Sequence, residues 1–307
     1  MFPALSEEFR RARLELPDGK LRVVLDTDTY NEVDDQFAVC HALLSPDRLD
    51  VEAIYAAPFN NRRSSGPGDG MERSYEEILR LLGMLGVEDD GLVFRGSREY
   101  VTDLANPPRS DAVADLIERA SASDAADPLY VVAIGAITNV SAAILLEPSI
   151  IEKIIVVWLG GTDTARGSAR EFNLGQDLLG SQTLFDCGVP LVHVPCRNVT
   201  THLHTTIPEL EHYLRGKGSL CDYLIDIVRG YVSEAHAFAW SKVIWDIATT
   251  AYLLNADWAP THLTPSPVLT DDFRWAVGDD RHTIRTVTYV KRDPIFRDLF
   301  TKLIAAG

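Results

Sequence analysis

No run of apolar residues in this 307-residue chain is long enough to cross a bilayer. The opening MFPALSEEFRRARLELPDGK has no apolar core of secretory-signal length, so no leader is expected. Cysteine is sparse: Cys40, Cys187, Cys196 and Cys221 lie far apart and form no CxxC pair or other metal-ligand spacing. Reduced, mostly buried thiols in a cytoplasmic protein are the expectation. Positive charge is short as well, with 29 Lys and Arg against 45 Asp and Glu and a net charge of −16. That imbalance argues against nucleic acid or an anionic membrane as partner. Long Ser/Gly/Pro linkers and internal repeats are missing too, so residues 1–307 read as one domain.

What is abundant is acid, and it is concentrated. The stretch VVLDTDTYNEVDDQFA, Val23 to Ala38, carries Asp26, Asp28, Glu32, Asp34 and Asp35 with no basic residue among them. Crowded carboxylates repel one another and hold on to protons unless a cation sits among them. All-oxygen donors select a hard ion, calcium or magnesium, over zinc. An EF-hand does not fit, because no glycine follows Asp26, Asp28 and Tyr30, and the twelfth position is Phe37. A solvated acidic turn is the plainer alternative, since charge runs usually face water. Against it, these residues abut a strand and a helix that both read as buried.

The surrounding pattern is α/β. Short apolar runs LRVVLD, VEAIYAA, LYVVAIGA, IIVVWLGG and PLVHVPC alternate with segments of helical period, DDQFAVCHALLS, SYEEILRLLGML, DAVADLIERA and TNVSAAILL. Strands this continuously apolar are buried on both faces. They predict an open, mostly parallel sheet flanked by helices, with right-handed crossovers. Pro208 to Ala251 reads mainly as helix, followed by two antiparallel strands, FRWAV and TIRTVTYV, and a last helix, DPIFRDLFTKLIAA. Asn60 to Gly70, NNRRSSGPGDG, reads as a flexible loop, either a lid or a mobile surface segment. Thr138 reads as the N-cap of NVSAAILL. In such sheets ligands sit outside the carboxyl ends of the strands. The acidic stretch lies at one of these ends, where LRVVLD gives way to a helix beginning near Asp34.

Asp26-Thr27-Asp28 after an apolar strand also resembles the haloacid-dehalogenase phosphatases. Tyr30, however, stands where that pattern wants Thr or Val, and no convincing later lysine and acidic pair follow. More of the chain resembles the calcium-dependent nucleoside hydrolases, of the inosine-uridine preferring kind, as a divergent member. Their opening D-x-D-x-x-x-D-D is met here by D-T-D-T-Y-N-E-V-D-D, two residues longer. The similarity continues through AAPFNN with Asn60, AIGAITNV near the family's G-P-L-T-N, and WLGG. It then takes in EFN, with Glu171 and Asn173, and IWDIATTAYLL, with Asp246. It runs in order from Val23 to Leu254.

The resemblance implies hydrolysis of the N-glycosidic bond of a ribonucleoside or related riboside, with Ca²⁺ as cofactor and a homo-oligomer, dimer or tetramer. It implies Asp28 as metal ligand and base, with Asp35, Asp246 and the Ile134 carbonyl completing the metal site. Asp34 would accept from the 2′ hydroxyl and Asp246 would contact the 3′ hydroxyl. Asn60, Glu171 and Asn173 would bind ribose hydroxyls, the last two on the 5′ side. Asp26 reads as a residue that orients the ligands or satisfies backbone N–H groups. The chemistry agrees, because cleavage builds positive charge on the sugar, and anions around it favour the transition state over the substrate.

The base side departs from the family. Several members place a histidine before the late aspartate to protonate the leaving base, and here that position is Trp245. Ala136 replaces the motif proline, and TDTARGSAR offers no counterpart to a further asparagine. Trp245 is expected to stack on the base or to pack in the core. His236 and His282 are the favoured substitute acids among the eight histidines. A non-catalytic sugar or nucleoside binder on the same scaffold is the competing reading.

Overall fold

A strand with no polar face is stable only between two covering layers, and that is where the apolar runs lie. A computed structural model describes residues 2–124 and 126–307. β1 (Leu21–Thr27), β2 (Leu49–Ala56), β3 (Val93–Arg95), β4 (Leu129–Ala133), β5 (Ile154–Leu159) and β6 (Leu191–Val194) run parallel, in the order β3-β2-β1-β4-β5-β6. Thr283–Val287 continues the sheet parallel to β6, and Thr261–Pro265 closes that edge antiparallel. Every residue of β4, β5 and β6 is buried. Alternate residues of β1 feed two apolar clusters, Val23 and Leu25 on one face and Val24 on the other. Among the described residues, no helix is long and apolar enough to cross a membrane. All four cysteines are buried and unpaired.

The order of the strands reverses at β1, whose neighbours are β2 on one side and β4 on the other. Crossovers on the two sides therefore leave in opposite directions, which opens a crevice at the carboxyl ends of β1 and β4. The acidic stretch begins at that point.

Several local expectations need correction. FRWAV and TIRTVTYV do not form one ribbon: Trp275–Ala276 pairs with Val268–Leu269, while Thr283–Val287 joins the main sheet. The open edge of β6 lets that strand bury Ile284 and Val287, which an isolated hairpin would expose. The helix Pro67–Leu85 takes over the second half of the expected loop at 60–70. Gly70 belongs to a helix packed so closely that a Cβ there would sit 2.0 Å from the Phe59 carbonyl oxygen. Thr138 is the first residue of its helix rather than the cap. Its hydroxyl donates instead to Asp177 Oδ2 at 2.7 Å. β3 carries only three residues and was not among the expected strands.

One buried histidine ties three helices together. His41, in the helix Asp35–Leu43, meets Thr250 Oγ1 through Nδ1 and Asp298 Oδ2 through Nε2, each at 2.8 Å. Nε2 carries the proton, because its partner is a carboxylate, and Nδ1 accepts from the threonine hydroxyl. Burial depresses the pKa of His41, against the opposing pull of Asp298. The unfolded chain, at about 6.5, therefore takes up a proton first on acidification, so this contribution is complete above that range and lost as pH falls through it. His41→Leu should lower stability at neutral pH by about 1–3 kcal/mol. Denaturant titrations should also show a shallower loss of stability between about pH 7 and pH 5 than in the parent protein.

Candidate active site

β1 ends at Thr27, so Asp28 is the first residue beyond the sheet. Residues 29–33 then turn back, and Asp34 precedes the helix Asp35–Leu43 at its N-terminus, without a side-chain capping bond. β4 delivers Ile134 and Gly135 to the other lip of the crevice. The approach at Gly135 is close, since a Cβ there would lie 3.1 Å from the side chains of Asp28 and Ala57. Asp246 caps the helix Ile247–Leu254 instead of lying inside it, as the apolar run had implied. Helix N-termini favour carboxylates through the dipole and the unpaired N–H groups. Two such termini thus meet at one point. They enclose, with the loops after β4, β5 and β6, a cavity of about 140 Å³.

Asp28, Asp34, Asp35, Ile134, Glu171, Asn173, Trp245 and Asp246 all line this cavity. Asn60 does not: its side chain is exposed, and its backbone N–H donates to Gln176 Oε1. The neighbouring Asn61 turns inward instead and donates to Asn31, a lining residue. Asp26 lies behind the cavity, where its Oδ1 accepts from Asn139 Nδ2 at 2.7 Å. Glu171 caps the short helix Phe172–Gln176, accepting from the N–H groups of Asn173 and Leu174 as well as Gly161. Asn173 donates its amide to the carbonyls of Ile134 and Leu159, both at 3.0 Å. Glu32 of the acidic stretch lines it too, and Phe172, Arg197, Asn31, Leu159 and Cys196, which were not foreseen, complete the lining.

The electrostatics are severe. Both oxygens of Asp28 are buried without a hydrogen-bond partner. Burial, then Asp35 and Asp34, push its pKa well up. Asp246 is raised well above the ordinary range by burial and the same neighbours. Asp35 is raised to about 7 by burial and Asp34, although Thr27 Oγ1 donates to it at 2.6 Å. Oxygens of Asp34, Asp35 and Asp246 lie within 4.8 Å of one another. Asp34 is the exception in having a counter-charge. Its Oδ1 accepts from Lys242 Nζ at 3.1 Å and its Oδ2 from the Trp245 N–H at 3.2 Å. An all-oxygen set of this kind fits a hard divalent ion.

These features have a counterpart among known proteins. A family model described as inosine-uridine preferring nucleoside hydrolase matches residues 23–294. The chain belongs to that family. Probable uridine nucleosidase 2 of Arabidopsis thaliana is 25% identical over 233 residues, 68% of this chain and 69% of that protein. The pyrimidine-specific ribonucleoside hydrolase RihA of Escherichia coli O9:H4 (strain HS) is 25% identical over 264 residues, 77% of this chain and 80% of that protein. A solved plant nucleoside hydrolase, PpNRh1, shares the fold at a TM-score of 0.74 and 20% identity, covering 93% of this chain and 99% of its own. The effector XopQ, solved with adenosine diphosphate ribose, shares it at 0.68 and 18% identity, covering 98% of both chains. As a member of this family, the hydrolase acts on the N-glycosidic bond of ribonucleosides. The phosphatase resemblance is thereby set aside.

No histidine lines the cavity of this hydrolase among the described residues. His282 precedes a strand parallel to β6, so it lies at the opposite end of the sheet. Burial, Arg10 and Arg281 depress its pKa to about 4. His236 is exposed, with Ser233 as its hydrogen-bond partner. Neither lines the cavity. Trp245 is half-buried at the cavity mouth, with part of its surface against the core.

A cation that relieves this repulsion binds the folded chain alone, so it must stabilise it. Melting curves should rise with added Ca²⁺ and fall with chelator, by about 2.7 kcal/mol in stability at a hundredfold excess over Kd. Asp35→Ala should abolish most of that shift. An unchanged shift in Asp35→Ala would remove it from the metal site.

Proposed function

We propose that the chain is a Ca²⁺-dependent hydrolase that splits a ribonucleoside or related N-riboside into base and ribose, with Asp28 as the base. The observation that carries this reading is the Asp28 carboxylate, buried at the switch point of the sheet with neither oxygen partnered. Asp28, Asp35, Asp246 and the Ile134 carbonyl would hold the ion. When bound, Ca²⁺ supplies a high coordination number for water and sugar hydroxyls together and lowers the pKa of the water.

The chain's own residues do the rest. Asp28 takes the proton from the attacking water. Asp34 accepts from the 2′ hydroxyl, and Asp246 accepts from the 3′ hydroxyl. Glu171 and Asn173 close the 5′ side. The surrounding carboxylates favour the positive charge that develops on the sugar, as paired carboxylates do in other glycosidases. Phe172 and Trp245 line the cavity with partly exposed rings, on which a flat base could stack. Buried, unpaired cysteines suit a cytoplasmic protein, and a dimer or tetramer completes the reading.

Incubation with uridine, cytidine, inosine, adenosine and nitrophenyl riboside, following free base and reducing sugar, tests the activity. Release from none of them, with ribose still bound, would return the non-catalytic binder. Asp28→Asn keeps the size of the side chain but cannot take a proton. It should reduce turnover by about 10²- to 10⁴-fold in single-turnover assays while ribose binding partly survives.

Trp245 offers an indole N–H and a π-face but no usable acid at neutral pH. Leaving groups that need no protonation should therefore be preferred, and nitrophenyl riboside should be cleaved far faster than inosine. Trp245→His should narrow the gap. Equal rates on the two substrates in the parent protein would point to another acid.

A further inference from the structure

Lys242 opens the segment Lys242-Val243-Ile244-Trp245-Asp246, and its side chain is 5% exposed. A buried ammonium is costly unless its protons are matched. Here they are. Nζ donates to Glu32 Oε2 at 2.5 Å, to Asp34 Oδ1 at 3.1 Å and to the Val243 carbonyl at 2.9 Å, which uses all three protons. Burial alone would depress the lysine's pKa, but Asp34 and Glu32 outweigh it and raise it. Three residues on, the Trp245 N–H holds the other oxygen of Asp34. The segment that ends in Asp246 thus grips Asp34 at both oxygens. Glu32, in the longer turn between Asp28 and Asp34, anchors the grip from the cavity side.

The consequence lies in what Asp34 would do without it. Asp34 has an oxygen within 4.8 Å of oxygens of both Asp35 and Asp246, close enough to join them on one ion. A carboxylate free to turn there would no longer keep one orientation toward the sugar. We propose that Lys242 is a positioning residue for sugar recognition: together with the Trp245 backbone N–H it fixes the orientation of the Asp34 carboxylate and presents it to the 2′ hydroxyl. The inference rests on the reading of Asp34 given above. Lys242 touches neither substrate nor reacting atoms in this scheme. Its effect passes through Asp34, and it should therefore appear as selectivity between ribose and 2-deoxyribose.

The test compares kcat/KM for a ribonucleoside and its 2′-deoxy counterpart, with the affinities of free ribose and 2-deoxyribose measured alongside by calorimetry. Asp34→Asn should collapse the preference for the 2′ hydroxyl. Lys242→Met should do the same, losing about tenfold or more on the ribo substrate for one charged hydrogen bond, with a much smaller loss on the deoxy substrate. The same imbalance should appear in the two sugar affinities, and Lys242→Arg should restore part of it. If Lys242→Met does not fold, Glu32→Gln loosens the same ammonium and should shift the ratio in the same direction. An equal loss on both substrates, with both sugars weakened alike, would make Lys242 a structural residue and overturn the proposal. An unchanged ratio in Asp34→Asn would instead overturn the 2′ reading of Asp34, and the role of Lys242 with it.

Discussion

Mutual repulsion of buried carboxylates is the constraint around which this molecule is organised. Asp28, Asp34, Asp35 and Asp246 are each at most 4% exposed, and they share one small cavity. In water such a group would separate; inside a protein it must be compensated by position. Part of the compensation is backbone, because Asp34 and Asp246 sit at the N-termini of two helices that point into the same crevice. Part is the ammonium of Lys242, which neutralises one of the four. The remainder fits a divalent ion. Each element of compensation comes from a different part of the chain, so the site cannot form before the fold does.

The sheet explains why this crowding occurs at β1. Reversal of strand order leaves the ends of β1 and β4 uncovered, and only loops and helix termini can fill the gap. Gly135 lets the β4 loop approach Asp28, and Asn173 then pins the Ile134 carbonyl in place. Phe172, Trp245 and Arg197, more exposed than the carboxylates, line the same cavity.

Central strands and the acidic cluster were legible in the sequence because each signal is local. LYVVA and IIVVWL have no charged residue on either face, and five acids in one short stretch are visible without a partner. The rest required tertiary information. Lys242 in WSKVIWD looks like an ordinary surface lysine, since buried lysines are rare, and its Glu32 partner lies 210 residues away. Whether Asn60 or Asn61 faces inward is a matter of one residue in a tight turn. TIRTVTYV was legible as a strand, but its neighbours were not, because the vacant edge beside β6 exists only once the sheet has assembled. Thr138 satisfied the local rule for a cap, and Asp177 took its hydroxyl from across the fold.

The two helices that carry the candidate ligands behave as the arms of a pair of tongs. Asp35 begins one arm and Asp246 precedes the other. The arms are joined by the His41–Thr250 hydrogen bond of 2.8 Å, on the side away from the cavity. At 1.5 Å of rise per residue, that joint lies about 9 Å along one helix from Asp35 and about 6 Å along the other from Asp246. The packing between the two helices, this bond included, thus contributes to the spacing of the carboxylates from inside the core. Affinity for the ion can drift or be tuned by substitutions in the core around that joint, leaving every residue of the cavity as it is.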